Sequence, residues 1–136
     1  MGEIKHILLV DDDEPTNILH KIIIDEVDWG CTVHLAQTGK AAIEFLQTWE
    51  GSSEDSSAST IDLIFLDLNM PTMNGYEFLR AHQSLPPSKR AKVIIVMLTT
   101  MLDQAKTDLL WSLGIQGFQK KPLTEDALGK IREEFF

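Results

Sequence analysis

A chain of 136 residues with 43% hydrophobic and 24% charged residues has the make-up of one globular domain, residues 1–136. A domain of that size buries about 68% of the surface its unfolded form exposes. The formal net charge of −9 argues against direct nucleic-acid binding, which needs clustered Lys and Arg to displace counterions. No apolar run approaches the roughly 18 residues of a membrane span. The start, MGEIKHILLV, is too short in its apolar part and too acidic for a signal peptide, and His6 stands where myristoylation after Gly2 requires Ser or Thr. Cys31 is alone and cannot form an intramolecular disulfide. These features predict a cytoplasmic protein with no membrane partner.

In chain order, HILLV (6–10) reads as a strand buried on both faces, because its apolar run is continuous rather than alternating. Pro15 to Trp29 reads as a helix, with Ile18, Ile22, Ile23 and Val27 as its core stripe, Asp13 as N-cap and Gly30 as stop. TVHLA (32–36) alternates and is a weaker strand. A second helix, Lys40 to Trp49, carries Ala42, Phe45, Leu46 and Trp49 on one face. EGSSEDSSAST (50–60) is polar and lacks periodicity, and reads as a flexible loop. LIFL (63–66) is a second fully buried strand, followed by a helix from Tyr76 to Leu85 that Pro86-Pro87 ends. VIIVML (93–98) is the third such strand. Leu102, Ala105, Leu109 and Leu113 mark a fourth helix, GIQGFQK (114–120) a weak strand, and Thr124 to Glu134 a last helix whose charges suit the helix dipole.

Five strand-helix alternations imply a parallel sheet with right-handed crossovers. In such sheets ligands bind beyond the carboxyl ends of the strands. Those ends here are Asp11, Asp12 and Asp13; Asp67; Thr99 and Thr100; and Lys120, Lys121 and Pro122. Two carboxylates about 4 Å apart repel by about 4 kcal/mol at an effective dielectric of about 20. Several of them converging call for a cation. Oxygen-only donors favour a hard ion, Mg²⁺ first, and the four histidines read as scattered, so zinc is not expected. An aspartate beside Mg²⁺, a lysine and a hydroxyl is also suited to covalent attack on phosphorus.

The segments ILLVDDDEPTN, LIFLDLNMPTMNG, VIIVMLTT and GFQKKP, in this order across the whole chain, resemble the signature segments of response-regulator receiver domains. The resemblance implies an α/β (βα)5 fold, a doubly wound parallel five-stranded sheet in flavodoxin-like order 2-1-3-4-5. It implies Mg²⁺ as cofactor and a sensor histidine kinase or phosphotransfer protein as phosphoryl donor. Carried over residue by residue, Asp67 stands for the phosphoacceptor and Asp12 for the main metal carboxylate, with Asp11 in support and Asn69 lending a backbone carbonyl. Thr99 matches the switch hydroxyl, Lys121 the phosphate-binding lysine, Phe118 the aromatic switch residue, and Lys121-Pro122 a cis peptide. Thr100 and Met101 depart from the family pattern, and a slower attack by water on the phosphorylated form is expected from them.

By this resemblance the chain is not an enzyme, since it catalyses only its own phosphorylation and dephosphorylation. Driving a two-state switch from 1:99 to 99:1 takes about 5.5 kcal/mol, whereas one charge-assisted hydrogen bond supplies about 1.5–3. A downstream protein target or a phosphorylation-dependent dimer contact is therefore expected to complete it, with Trp111 and Phe135-Phe136 either on that surface or in the core. The alternative is a Mg²⁺-dependent aspartyl-phosphate phosphohydrolase. Such enzymes commonly carry a second aspartate two residues after the nucleophile, where this chain has Asn69. With no output segment after Phe136, the chain reads as a stand-alone receiver or a piece of a longer protein.

Overall fold

The computed structural model describes residues 4–49, 61–68, 75–85, 94–99 and 104–136. Asn69, Thr100, Met101, Leu102 and the Ser-rich stretch 50–60 lie outside them. Among the described residues ten elements alternate: β1 (His6–Val10), α1 (Glu14–Glu26), β2 (Thr32–Ala36), α2 (Gly39–Thr48), β3 (Leu63–Asp67), α3 (Gly75–Gln83), β4 (Ile94–Thr99), α4 (Gln104–Ser112), β5 (Gly117–Lys120) and α5 (Glu125–Phe135). The strands form one parallel sheet in the order β2-β1-β3-β4-β5, as expected.

The three continuous apolar strands are buried on both faces because each feeds two cores. On one side Leu8, Val10, Ile64, Leu66, Ile95 and Met97 meet α2, α3 and α4. On the other, Ile7, Leu9, Leu63, Phe65, Val96 and Leu98 meet α1 and α5. Residues alternate in this way because successive strand side chains point to opposite faces. Side-chain caps open three of the helices: Asp13 accepts from the Thr16 amide, Thr38 from Ala41 and Thr124 from Ala127. Gly75 starts α3 where its amide meets the Leu68 carbonyl at 2.9 Å, and a Cβ there would stand 3.1 Å from the Leu68 backbone. A larger residue there would have to push the Leu68 backbone back by a few tenths of an ångström.

Two helical stripes differ from expectation. In α1 the buried residues are Asn17, His20 and Ile24. Ile18 and Ile22, expected in the core, are 46% and 50% exposed, and Leu19 between them is 46% exposed. Ile23 and Val27 do pack against the core. The helix is rotated because its inner face must satisfy backbone carbonyls at the strand ends, and polar side chains do that. In α4 Leu110 is buried and Leu109 exposed, one residue away from the expected register, while Leu113 packs where expected.

Candidate functional site

β1 and β3 are neighbours in register, with Val10 opposite Leu66, so the next residues, Asp11 and Asp67, leave the sheet side by side. Asp11 and Asp67 are buried and Asp12 is exposed. One carboxylate oxygen from each of the three lies within 4.8 Å of the others. Lys121, at the exit of β5, reaches into this group. Its Nζ stands 2.6 Å from Asp11 Oδ2 and 3.1 Å from Asp67 Oδ1. Burial pushes the Lys121 ammonium toward neutrality, but its hydrogen bonds and charge contacts with Asp11 and Asp67 outweigh burial and raise its pKa. It is a permanent cation at neutral pH.

The backbone around these groups is held from several sides. The Asp11 amide donates to the Ala36 carbonyl, and the Asp13 amide donates to Asp11 Oδ1. Asn17 Nδ2 donates to the carbonyls of Asp11 and Ala36 at 3.0 and 3.3 Å. The Lys121 amide donates to the Thr99 carbonyl at 3.0 Å, and Lys121-Pro122 is cis. Asp13 caps α1, accepting from the Thr16 amide and hydroxyl, so its carboxylate is engaged away from the cluster.

Of the predicted site residues, Asp11, Asp12, Asp67 and Lys121 converge. Thr99 is buried at the end of β4, one step beyond the Asp67–Leu98 pair. Phe118 lies two positions before Lys120, the partner of Thr99, so it stands about 7 Å down the sheet from the strand-end cluster. Met97 opposite Phe118 puts Phe118 and Thr99 on one face. Phe118 is half-buried and packs edge-on to Trp111, with ring centroids 5.3 Å apart.

Sequence reasoning missed Asn17 and His20. Their spacing with Ile24, at three and four residues, was the available signal, obscured by the isoleucines beside them. The histidines are also less scattered than expected. His6 Nδ1 and His34 Nε2 are 3.2 Å apart on adjacent strands, packed against Trp49. Burial, and then His6 beside it, lower the His34 pKa from its ordinary 6.5. The unfolded chain therefore takes up more protons below about pH 6.5, and the His34 contribution to stability, fully present above that pH, is lost on acidification. His34→Gln protein should accordingly lose less of its thermal midpoint than wild type between about pH 7.5 and 5.5. Parallel curves would remove this pair as the source.

The donor set fits a hard divalent ion. All three side chains offer carboxylate oxygens, their spread is close to the roughly 4 Å span of opposite ligands around Mg²⁺, and one ammonium leaves two negative charges uncompensated.

A parallel sheet ending in clustered aspartates beside a half-buried lysine defines the class of protein. Residues 7–132 match the family described as response regulator receiver domain, and the chain belongs to that family. A two-component response regulator from Cytophaga hutchinsonii has a similar structure, with a TM-score of 0.82, 26% identity and 98% of each chain covered. The chemotaxis protein CheY4 of Vibrio cholerae aligns with a TM-score of 0.77 at 25% identity, covering 98% of this chain and 99% of its own. The two-component response regulator ORR1 of Oryza sativa subsp. indica is 26% identical over 132 residues, which is 96% of this chain. The chain spans about half the length of that regulator, 54%.

Proposed function

We propose that this receiver domain takes a phosphoryl group onto Asp67 from the phosphohistidine of a histidine kinase or phosphotransfer protein, in the cytoplasm. The observation that carries the reading is the Lys121 ammonium bridging Asp11 and Asp67, with Asp12 alongside. An Asp67 oxygen attacks phosphorus in line. The new O–P bond forms as the N–P bond breaks, and its electron pair stays on the departing imidazole, which then takes up a proton. Lys121 neutralises charge on the phosphoryl oxygens, and the Thr99 hydroxyl donates to one of them. Asp11, Asp12, Asp67 and the Asn69 carbonyl would hold Mg²⁺, which supplies further charge neutralisation when bound.

Transfer is stoichiometric rather than turning over, so the chain is not an enzyme toward an outside substrate. Incubation with acetyl phosphate and Mg²⁺ should add one phosphoryl mass, located on Asp67, and a chelator should prevent it. Steady release of phosphate from a phosphomonoester at several turnovers per second would favour the phosphohydrolase instead.

The donor docks on α1 in this reading. Ile18, Leu19 and Ile22 form an exposed apolar face on the helix that Asp13 caps, next in sequence to Asp12. Changing Ile22 to Lys should slow transfer from a phosphorylated histidine phosphotransfer protein about tenfold, the cost of a typical interface anchor. Its rate with acetyl phosphate should stay at the wild-type value. Equal loss with both donors would point to damage at the acceptor site rather than a docking face. The output face, for a downstream target or a phosphorylation-dependent dimer, is the surface around Phe118, Trp111 and Phe135, which line a cavity of about 390 Å³.

A further inference from the structure

We infer that His20 is a positioning residue for phosphoryl transfer: its imidazole pins the chain just after β5 and so fixes where the Lys121 ammonium stands. The inference rests on Asp67 and Lys121 acting as proposed above.

Lysine has a long, flexible stem, and ordering it costs side-chain entropy. A lysine that must bridge two carboxylates is best served by a backbone held on both sides. Before the side chain, the Lys121 amide is tied to the Thr99 carbonyl of β4. After it, the Leu123 amide donates to His20 Nε2 at 3.3 Å, a bond that spans 103 residues of sequence. Leu123 is itself buried, so this amide has left water and needs a partner. His20 provides one from the inner face of α1.

The same helix face holds the other end of the ion pair. One turn earlier, Asn17 donates to the Asp11 carbonyl. Asn17 and His20 together therefore tie α1 to the exit of β1, which carries Asp11, and to the exit of β5, which carries Lys121. A helix rotated to bury Ile18 and Ile22 would lose both ties.

An apolar residue of similar size would fill the space as well, so packing alone does not account for an imidazole at 1% exposure. What the imidazole adds is an acceptor. Burial keeps His20 neutral by lowering its pKa; the Asp11 charge opposes that shift and the Lys121 charge adds to it. A neutral ring with its proton on Nδ1 leaves Nε2 free to accept.

Five proteins test this: wild type, His20→Leu, His20→Gln, Lys121→Met and the His20→Leu, Lys121→Met double variant, compared by the rate of phosphoryl mass gain from acetyl phosphate. His20→Leu should slow the reaction roughly tenfold, well inside the hundredfold that a misplacement of about 1 Å can cost. In the Lys121→Met background the same change should do nothing further, because there is no ammonium left to place. His20→Gln, which presents an amide oxygen near the position of Nε2, should recover part of the rate even if it packs less well than leucine. Equal losses in both backgrounds, or leucine outperforming glutamine, would overturn the inference.

Nitrogen-15 NMR of wild type gives a reading independent of any variant and of phosphorylation. The ring should carry its proton on Nδ1 and show a bare Nε2 at neutral pH. A protonated Nε2 would end the inference even if every variant failed to fold. Wild type that takes up no phosphoryl group, yet shows the expected tautomer, would instead count against the phosphoacceptor reading.

Discussion

Asp67→Ala protein should gain no phosphoryl mass from acetyl phosphate under conditions that fully modify wild type. Three carboxylates share the site, and the expected result is total loss rather than redistribution, because each has a different surrounding. Asp11 is occupied by the Asp13 amide on one oxygen and by the Lys121 ammonium on the other. Asp12 is exposed, so attack from it would place the developing charge in water, where fixed charges are worth least. Asp67 is buried, yet one of its oxygens stands 3.1 Å from Lys121. That geometry puts charge neutralisation beside the atom that would carry phosphorus. Mass gain relocated to Asp11 or Asp12 in the Asp67→Ala protein would show that the pocket, rather than the one carboxylate, selects the acceptor.

Lys121→Met is expected to slow phosphoryl uptake by about a hundredfold to a thousandfold, the usual cost of losing one preorganised group that stabilises transition-state charge. Magnesium binding should survive this change or strengthen, because the ammonium that shares Asp11 and Asp67 with the ion is gone. The two measurements together separate a lost charge contact from a collapsed site. Lys121→Arg should not restore the rate, since the planar guanidinium cannot take the place of a compact ammonium between two carboxylates. The raised Lys121 pKa has its own sign. The folded state holds that proton more firmly than the unfolded chain, so the contribution to stability is complete below the ordinary value of 10.5 and declines as pH rises beyond it. Unfolding by urea should therefore show the gap between wild type and Lys121→Met narrowing in strong alkali. A rate unchanged by Lys121→Met would remove the lysine from the mechanism.

The alternation of apolar runs with helical spacing predicted every strand of the sheet, and the observed order follows the expected one. Even the weak run GIQGFQK contains β5, though only Gly117–Lys120 of it pairs. The strand-end rule brought Asp11, Asp12, Asp13, Asp67, Thr99, Thr100, Lys120 and Lys121 to one edge, the family resemblance chose among them, and Asp11, Asp12, Asp67 and Lys121 meet within a few ångströms. Such residues were legible because their types are costly at the end of a buried strand unless they have partners, and the sequence contains the partners.

What a helix turns inward was harder to read. Periodicity assigns the apolar side of α1 to the core, yet Ile18 and Ile22 face solvent while Asn17 and His20 are buried. Asn17 donates to the carbonyls of Asp11 and Ala36 and His20 accepts from the Leu123 amide, and the last two of these partners lie 19 and 103 residues in sequence from the helix residues they bond. His6 and His34 met for a related reason, the register that sets β2 beside β1. By itself, then, the order of residues determined the succession of elements, the sheet and the roster of chemical groups at its edge. Tertiary structure alone decided the rotation of α1, the bridge that Lys121 makes and the hold of His20 on the chain behind it. Local pattern records how each residue prefers water or its neighbours in sequence; a hydrogen bond between distant segments depends on where the assembled sheet sets them.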